Sequence, residues 1–230
     1  MNNSKKIVVF SGSGISKESG IDTFRDAGGL WEQYDVMDFA DIEGWYKNPE
    51  LMMDFYNYCR TRLKDIEPNE AHRILAELEK NFDVTIITQN VDNLHEKAGS
   101  TQIIHLHGEL TKVRSSDNPG MIWDIGYDEI RMGEKAPDGS QIRPHVVWFG
   151  EDVPMIQTAI DVVKTADIFV IIGTSLNVYP AAGLIECVKK KVPIYLIDPD
   201  DVNCSDKRVI KIKAKATDGM RILKNMLCEK

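Results

Sequence analysis

Residues 8–31 read VVFSGSGISKESGIDTFRDAGGLW, and the meaning of this stretch decides the fold. A β-branched and aromatic run, Ile7-Val8-Val9-Phe10, stops at Ser11-Gly12-Ser13-Gly14. The spacing predicts a strand, a glycine turn and the opening of a helix, then a turn-rich segment ending in Phe24-Arg25-Asp26-Ala27-Gly28-Gly29. Such a junction makes an anion site. Glycines let the main chain approach a phosphate, free N–H groups point at it, and a helix dipole favours negative charge. Glycine turns follow strands for other reasons too, so this G-x-G is weak evidence alone. Lys17 stands where a G-x-G-x-x-G fingerprint has its third glycine, and no second strand with an acidic residue arrives about 20 residues on. The next β run is Val84 to Thr88, after a long polar and aromatic insertion. The stretch reads as a nucleotide fold interrupted where it should have continued.

Working outward, 230 residues with 43% hydrophobic content give one large domain or one domain with an inserted subdomain. A net charge of −8 argues against non-specific nucleic-acid binding. The N-terminal apolar run is too short for a signal peptide, and no run reaches membrane-spanning length. Cys59, Cys187, Cys204 and Cys228 are scattered without a C-x-x-C pair, so neither a disulfide framework nor a zinc knuckle is indicated. A cytoplasmic enzyme-like domain is expected.

Residues 32–66 read as helical, with Asn48 capping a helix whose first turn holds Pro49. Asn69 caps a second helix through Leu78, with Ile74, Leu75 and Leu78 as its buried stripe and His72 near its start. A strand over Phe82 to Thr88 delivers Gln89-Asn90-Val91-Asp92-Asn93 at its carboxyl end, where open α/β sheets bind ligands. In the next short strand, Ile103 to Leu106, alternation points His105 and His107 the same way and Leu106 opposite. His107 is a candidate general base, with a hydrogen-bonded core histidine as the alternative. Residues 111–142 form a second insertion, and the core resumes at Arg143. A helix at 154–164, a strand at 167–172 ending in Gly173-Thr174-Ser175, a helix at 181–191 and a strand at 193–197 ending in Asp198 follow. A last strand at 211–215 and a helix at 218–226 close the chain. This alternation predicts an α/β fold, a Rossmann-like parallel sheet with helices on both faces.

Four strand ends carry turn or polar chemistry: GSGIS, TQNVDNLH, HLHG and GTSLNVYP. Together with GIDTFR, HGEL and RPHVVWFGE, they closely resemble the sirtuins, NAD-dependent protein lysine deacylases. The likeness runs from Ile7 to Met226, apart from the 111–142 insertion. It implies a Rossmann-like NAD-binding domain over 1–31, 70–110 and 143–230, and a small subdomain over 32–69 and 111–142. It also implies a diphosphate site at Gly12, Ser13 and Gly14, with Ser13 where the family usually has alanine. Asp22, Phe24 and Arg25 fall on the family's mobile loop over the nicotinamide ribose. Gln89 and Asn90 match ribose contacts, and Val91 and Asp92 match carboxamide contacts. Gly173, Thr174, Ser175, Asp198 and Ala216 match the rest of the cofactor set. His107, Asn90 and Asp92 are implied as catalytic. Val147 and Trp148 would line a dry acyl-lysine channel. Phe149, Gly150 and Glu151 face Asn177, Val178 and Tyr179 as the edges between which an extended acyl-lysine peptide would pair.

Two departures from the family pattern matter. Residues 111–142 contain no cysteine and no histidine where most sirtuins carry four zinc cysteines. No zinc is expected, and Met121, Ile122, Trp123, Ile125, Tyr127 and Ile130 are expected to pack the module instead. The loop around Ala27 resembles the subgroup that removes succinyl and malonyl groups with a Tyr-x-x-Arg pair. Tyr56 matches, but Cys59 stands at the arginine position. Arg60 lies one helical step away, turned by roughly 100°, and a thiol cannot replace a guanidinium. NAD glycohydrolase or ADP-ribosyltransferase activity in the same pocket is the alternative chemistry. A non-catalytic NAD sensor is disfavoured by the presence of His107, Asn90 and Asp92 together.

Overall fold

The inner strands of the central sheet are apolar runs buried on both faces, which only a covered parallel sheet accommodates. The computed structural model describes residues 4–21, 35, 37–204 and 206–228. In chain order its elements are β1 (Lys6–Ser11), α1 (Met37–Ala40), α2 (Ile42–Lys47), α3 (Pro49–Leu63), α4 (Glu70–Leu78) and β2 (Asp83–Thr88). Then come α5 (Leu94–Ala98), β3 (Ile103–His105), β4 (Gly108–Ser115), β5 (Ile122–Asp124) and β6 (Ile142–Val146). The chain closes with α6 (Ile156–Val163), β7 (Ile168–Ile172), β8 (Ile194–Ile197), β9 (Val209–Ile212) and α7 (Ala216–Cys228).

Six parallel strands are ordered β3-β2-β1-β7-β8-β9. Ile7 and Val9 face α4 and α7, packing among Ile74, Leu75, Met220 and Leu223. Val8 and Phe10 face the other side, among Ala159 and Val163 of α6 and Leu184. Each such fully buried side chain contributes about 1.5–3 kcal/mol. Strand order reverses at β1, so the carboxyl ends of β1 and β7 flank a crevice of the kind that takes ligands in open α/β sheets.

Local signals place several elements well. Asn48 Oδ1 accepts from Leu51 N at the start of α3, and Asn69 Oδ1 accepts from Ala71 N at the start of α4. Others differ from the sequence expectation. The helix opening expected after the glycine turn is two short 3₁₀ turns, Ser13–Ile15 and Lys17–Ser19. Residues 181–191 hold a 3₁₀ segment only over Ala181–Cys187. β9 is Val209–Ile212, not 211–215, because its length is set by pairing with the four residues of β8. α7 starts at Ala216, before Asp218, because the Glu18 carboxylate accepts from Thr217 N at 2.9 Å and from Thr217 Oγ1 at 2.8 Å. That cap comes from the far end of the chain, so no local pattern announces it.

A second, three-stranded antiparallel sheet, β5-β4-β6, runs from Gly108 to Val146. The chain enters it at Gly108, where φ is +81° and a Cβ would lie 2.1 Å from His145 O. Only glycine serves there. Packing of this module is partly apolar, as expected. Ile130 is buried with Phe39, Trp45, Phe55 and Leu110, and Trp123, Ile125 and Tyr127 pack against that cluster. Ile122, by contrast, is exposed, and Met121 lies outside the cluster. Polar ties supply the remainder. Ser115 Oγ donates to Asp138 Oδ2 at 2.6 Å, meets Ser140 Oγ at 2.7 Å and accepts from Asn118 N at 2.8 Å. The Asn57 amide pairs with both main-chain groups of Ile130, at 2.8 and 3.1 Å. Arg60, fully buried, donates from Nε to Leu110 O at 2.5 Å and from Nη1 to Asn57 Oδ1 at 2.7 Å.

Candidate active site

The glycine turn after β1 and the turn after β7 press against each other. Gly12 N donates to Ile172 O and Gly14 N to Gly173 O. A Cβ on Gly12 or Gly14 would lie 2.7 Å from Gly173 atoms, and Gly173 itself has φ +63°. Much of the glycine requirement is therefore turn against turn, and the Gly12 and Gly14 N–H groups are already engaged. Ser13, between them, is exposed, and among the described residues no acceptor engages its N–H. Gln89 Nε2 donates to Thr174 Oγ1 at 2.9 Å, tying the β2 end to the β7 turn, while Ser175 is exposed beside it. Asp198, at the end of β8, is half-buried, and burial raises its pKa. Ala216 lies in the core beneath the sheet, only 6% exposed, so its side chain packs there and does not line the crevice. Asp22, Phe24, Arg25 and the rest of the segment through Trp31 lie outside the described residues.

The loop after β2 is held by four consecutive carbonyls. Leu106 N donates to Thr88 O, His107 Nδ1 bonds Gln89 O, His105 Nδ1 bonds Asn90 O, and Leu110 N donates to Val91 O, all at 2.8–3.0 Å. His105 and His107 do point the same way, and Leu106 is fully buried opposite. A carbonyl only accepts, so each Nδ1 carries a proton. His107 Nε2 keeps its lone pair. Burial lowers the His107 pKa more than the Gln89 carbonyl raises it, which favours a neutral imidazole. That is the state a general base requires.

Asn90 and Asp92 meet at Ser16, which sequence reasoning did not single out. Asn90 Nδ2 donates to Ser16 Oγ at 3.1 Å, and Ser16 Oγ donates to Asp92 Oδ2 at 2.9 Å. Leu94 N donates to Asp92 Oδ1 at 3.1 Å. Burial raises the Asp92 pKa, and these two bonds oppose the rise. The available signal was the hydroxyl at the end of GSGIS, two residues past the turn.

Glu96, His105 and Glu109 bring potential ligand atoms within 4.8 Å of one another. Their donors are committed, however. His105 Nε2 lies 2.8 Å from Glu96 Oε1, and Lys112 Nζ lies 2.6 Å from Glu109 Oε1. A cation would have to displace both partners.

The expected peptide edges are only partly open. Phe149 N donates to Ala40 O at 2.7 Å, and Phe149 O accepts from Ile42 N at 3.0 Å, so this residue already pairs with the α1–α2 turn. Glu151 points inward, away from a substrate role. Its carboxylate accepts from Arg114 at 2.6 Å, from Arg143 at 2.8 and 3.0 Å, and from Trp148 N at 2.9 Å. Burial would raise its pKa, but the arginines and the Trp148 N–H outweigh that and hold it low. The Arg143 guanidinium also stacks 3.5 Å from the Trp148 ring centre. Glu151 thus fixes the 147–151 turn. Among the described residues the Gly150 main-chain groups on this edge are unengaged. On the facing edge Val178 O accepts from Ala182 N, while Asn177 is exposed. The rings of Phe149 and Tyr179 are exposed, by 47% and 70%. Val147 N donates to His107 O at 2.9 Å, setting Val147 beside His107.

Tyr56 does not present its hydroxyl to a ligand. The ring is 2% exposed, and its OH donates to Phe39 O and accepts from Trp148 Nε1, both at 2.8 Å. Burial pushes the Cys59 thiol up to about 12, a protonated and unreactive state. Arg60 is tied to the small module, and Arg62 bonds the Tyr58 hydroxyl.

A parallel sheet with a crevice at its reversal point, glycine turns on either side and a clamped Asn/Asp/His loop defines a Rossmann-like enzyme that handles a nucleotide. The chain belongs to the Sir2 family, whose profile matches residues 12–180. An NAD-dependent protein deacylase of Bacteroides thetaiotaomicron is 56% identical over 229 residues, covering 97% of this chain and 98% of its own. One from Helicobacter pylori strain J99 is 53% identical over 199 residues, covering 86% and 85%. Among solved structures, a Sir2 homologue in complex with NAD superposes with a TM-score of 0.88 at 35% identity, covering 99% of this chain and 91% of that one.

Proposed function

We propose that this protein is an NAD-dependent protein lysine deacylase whose acyl acceptor is the ADP-ribose moiety of NAD, with nicotinamide released. NAD, as co-substrate, supplies the ribose carbon that loses nicotinamide and takes the acyl oxygen. The chain supplies the rest. The turns at Gly12–Gly14 and Gly173–Ser175 flank the diphosphate and adenosine, and Gln89 and Asn90 orient the nicotinamide ribose. Asp92, fixed through Ser16, recognises the carboxamide. His107 Nε2 takes the proton of a ribose hydroxyl as that oxygen attacks the acyl carbon. Val147, Trp148 and Phe149 keep water from the reacting centre. The observation that carries this reading is the loop itself, with Asn90 and Asp92 joined at Ser16 and His107 pinned through Nδ1.

Acyl choice follows from the fate of the cations. A succinyl carboxylate entering the pocket needs a charged partner, because burying an unpaired charge is strongly unfavourable. Tyr56 is saturated, Cys59 is uncharged and Arg60 is tied to Leu110 and Asn57. Acetyl and other neutral acyl groups are therefore preferred. The small module, 32–69 with 111–142, works without zinc, and the Ser115–Asp138–Ser140 cluster supports that view. The substrate is an acyl-lysine protein, and the NAD requirement suits the cytoplasm.

Mass spectrometry of acetyl- and succinyl-lysine peptides incubated with enzyme and NAD tests the proposal. Deacylated peptide, nicotinamide and acyl-ADP-ribose formed in equal amounts are expected. Free ADP-ribose without deacylated peptide would instead establish a glycohydrolase, and ADP-ribosylated protein a transferase.

A further inference from the structure

His105 has no part in the proposed chemistry, yet it is placed with unusual economy. It is the last residue of β3, aligned with Thr88 at the end of β2. Its Nδ1 holds Asn90 O at 3.0 Å, and its Nε2 lies 2.8 Å from Glu96 Oε1. Glu96 sits on α5, the helix into which the 89–93 loop runs. The contacts close a ring from Asn90 through the loop to Glu96, then through the imidazole back to Asn90. Only 7% of the His105 side chain is exposed, against 39% of Glu96, so the pair lies at the wall of the loop and not in open solvent. Because Nδ1 must donate to a carbonyl, an Nε2–H facing a carboxylate makes the ring a cation. Burial opposes this charge, but the Glu96 bond and charge, with Glu109 and the Asn90 carbonyl, hold the His105 pKa above its ordinary value. The contrast with His107 is direct: one imidazole is neutral with a free lone pair, and its neighbour two residues earlier is paired on both sides.

We infer that Glu96 and His105 are positioning residues which hold the Asn90 main chain, and so set the Asn90 and Asp92 side chains against the nicotinamide ribose and carboxamide. This rests on the reading of the 89–92 loop as the nicotinamide-ribose site. A structural ion pair alone would change stability when lost. A positioning pair changes the step at the ribose.

Steady-state kinetics and nicotinamide exchange, with Tm measured alongside, separate the two. His105→Ala is expected to lower kcat/KM for NAD and the exchange rate by ~10- to 100-fold, the scale for a reacting group mis-set by about an ångström. KM for the acyl-peptide should hardly change. His105→Asn, whose amide N–H takes the place of Nδ1–H, should recover part of the loss, the remainder being the share that passes through Glu96. Glu96→Ala should act in the same direction, with Glu96→Gln recovering most of that loss. Folded Ala and Asn variants of equal activity, or an Ala variant with unchanged kcat/KM for NAD, would overturn the inference. Should His105→Ala fail to fold, equal activities of the two Glu96 variants would overturn it. Asn90→Ala is the control on the underlying reading. Exchange surviving Asn90→Ala would remove the loop assignment itself, whereas exchange lost there but kept in His105→Ala removes only the positioning role.

Discussion

The parallel sheet and the small module are held together by different means. In the sheet, β1, β2, β7 and β8 are held by main-chain ladders and by apolar side chains on both faces. In the module three strands pair, and side chains add ties across long separations: Asn57 to the Ile130 main chain, Arg60 to Leu110 O, and Ser115 to the Asp138 and Ser140 side chains. A ladder tolerates the loss of one side chain, because its hydrogen bonds belong to the backbone. A side-chain clasp does not.

The largest consequence concerns Arg60. Arg60→Ala removes the Nε donor from Leu110 O and leaves Asn57 Oδ1 with Ile130 N alone, at about 1–3 kcal/mol for a buried group left unsatisfied. Urea unfolding followed by tryptophan fluorescence reads this well, since Trp45 and Trp148 lie in the module's cluster. Arg62→Ala, which removes a surface contact, is expected to change little. Equal effects of the two substitutions would break the contrast.

The sheet should fail by acid instead. His72 is fully buried, and both its ring nitrogens and His95 Nδ1 lack partners among the described residues. The rings meet edge to face at 4.9 Å, and His95 Nε2 bonds Ser11 Oγ at the end of β1. Burial lowers the His72 pKa to about 4 and holds His95 well below its ordinary value. The folded state therefore keeps them neutral while the unfolded chain takes up protons below pH ~6.5. The stability they confer is complete above that pH and is lost as pH falls toward 4. For His72 alone the loss is of order 3 kcal/mol. Chemical denaturation across this range should show a steep decline that His72→Leu flattens, and an unchanged slope in that variant would contradict the assignment.

These two behaviours explain what was legible beforehand. The run Ile7–Phe10, the Asn48 and Asn69 caps and the strand ending in Gln89-Asn90 are local patterns, and each became the expected element. His107 was singled out by its place at a strand end next to glycine together with the family likeness, since its position alone suits a hydrogen-bonded core histidine as well. The Thr217–Glu18 cap, the Asn57–Ile130 pairing and the Ser115 cluster join residues far apart in sequence, so no window contains them. Ser16 was hidden for a different reason: a serine in a glycine turn resembles ordinary turn chemistry until Asn90 and Asp92 are brought to it. The pairing of Phe149 with Ala40 and Ile42 was hidden likewise, because those partners arrive from the first insertion.

Acyl selectivity sharpens the comparison within α3. Cys59→Arg restores a cation beside Tyr56 without disturbing Arg60, and a charge-assisted hydrogen bond is worth ~1.5–3 kcal/mol. Succinyl kcat/KM should rise about ten- to a hundredfold while acetyl turnover changes little. A wild-type preference for succinyl, with no gain from the arginine, would mean another cation holds the carboxylate. A smaller effect is expected at Ser115→Ala, about 1 kcal/mol for a buried hydroxyl whose partner Asp138 is exposed. Thermal melts should show it with activity retained. Stoichiometric zinc by elemental analysis, or activity abolished by a chelator, would contradict the view that this cluster does the work of a metal.

The central claim is that His107 acts as the base after nicotinamide has left. The direct test is to measure nicotinamide exchange and deacylation side by side in His107→Ala. Deacylation should fall by the ~10²–10⁴-fold typical of a lost general base, while NAD still binds and exchange continues. Near-normal deacylation by this variant would contradict the account.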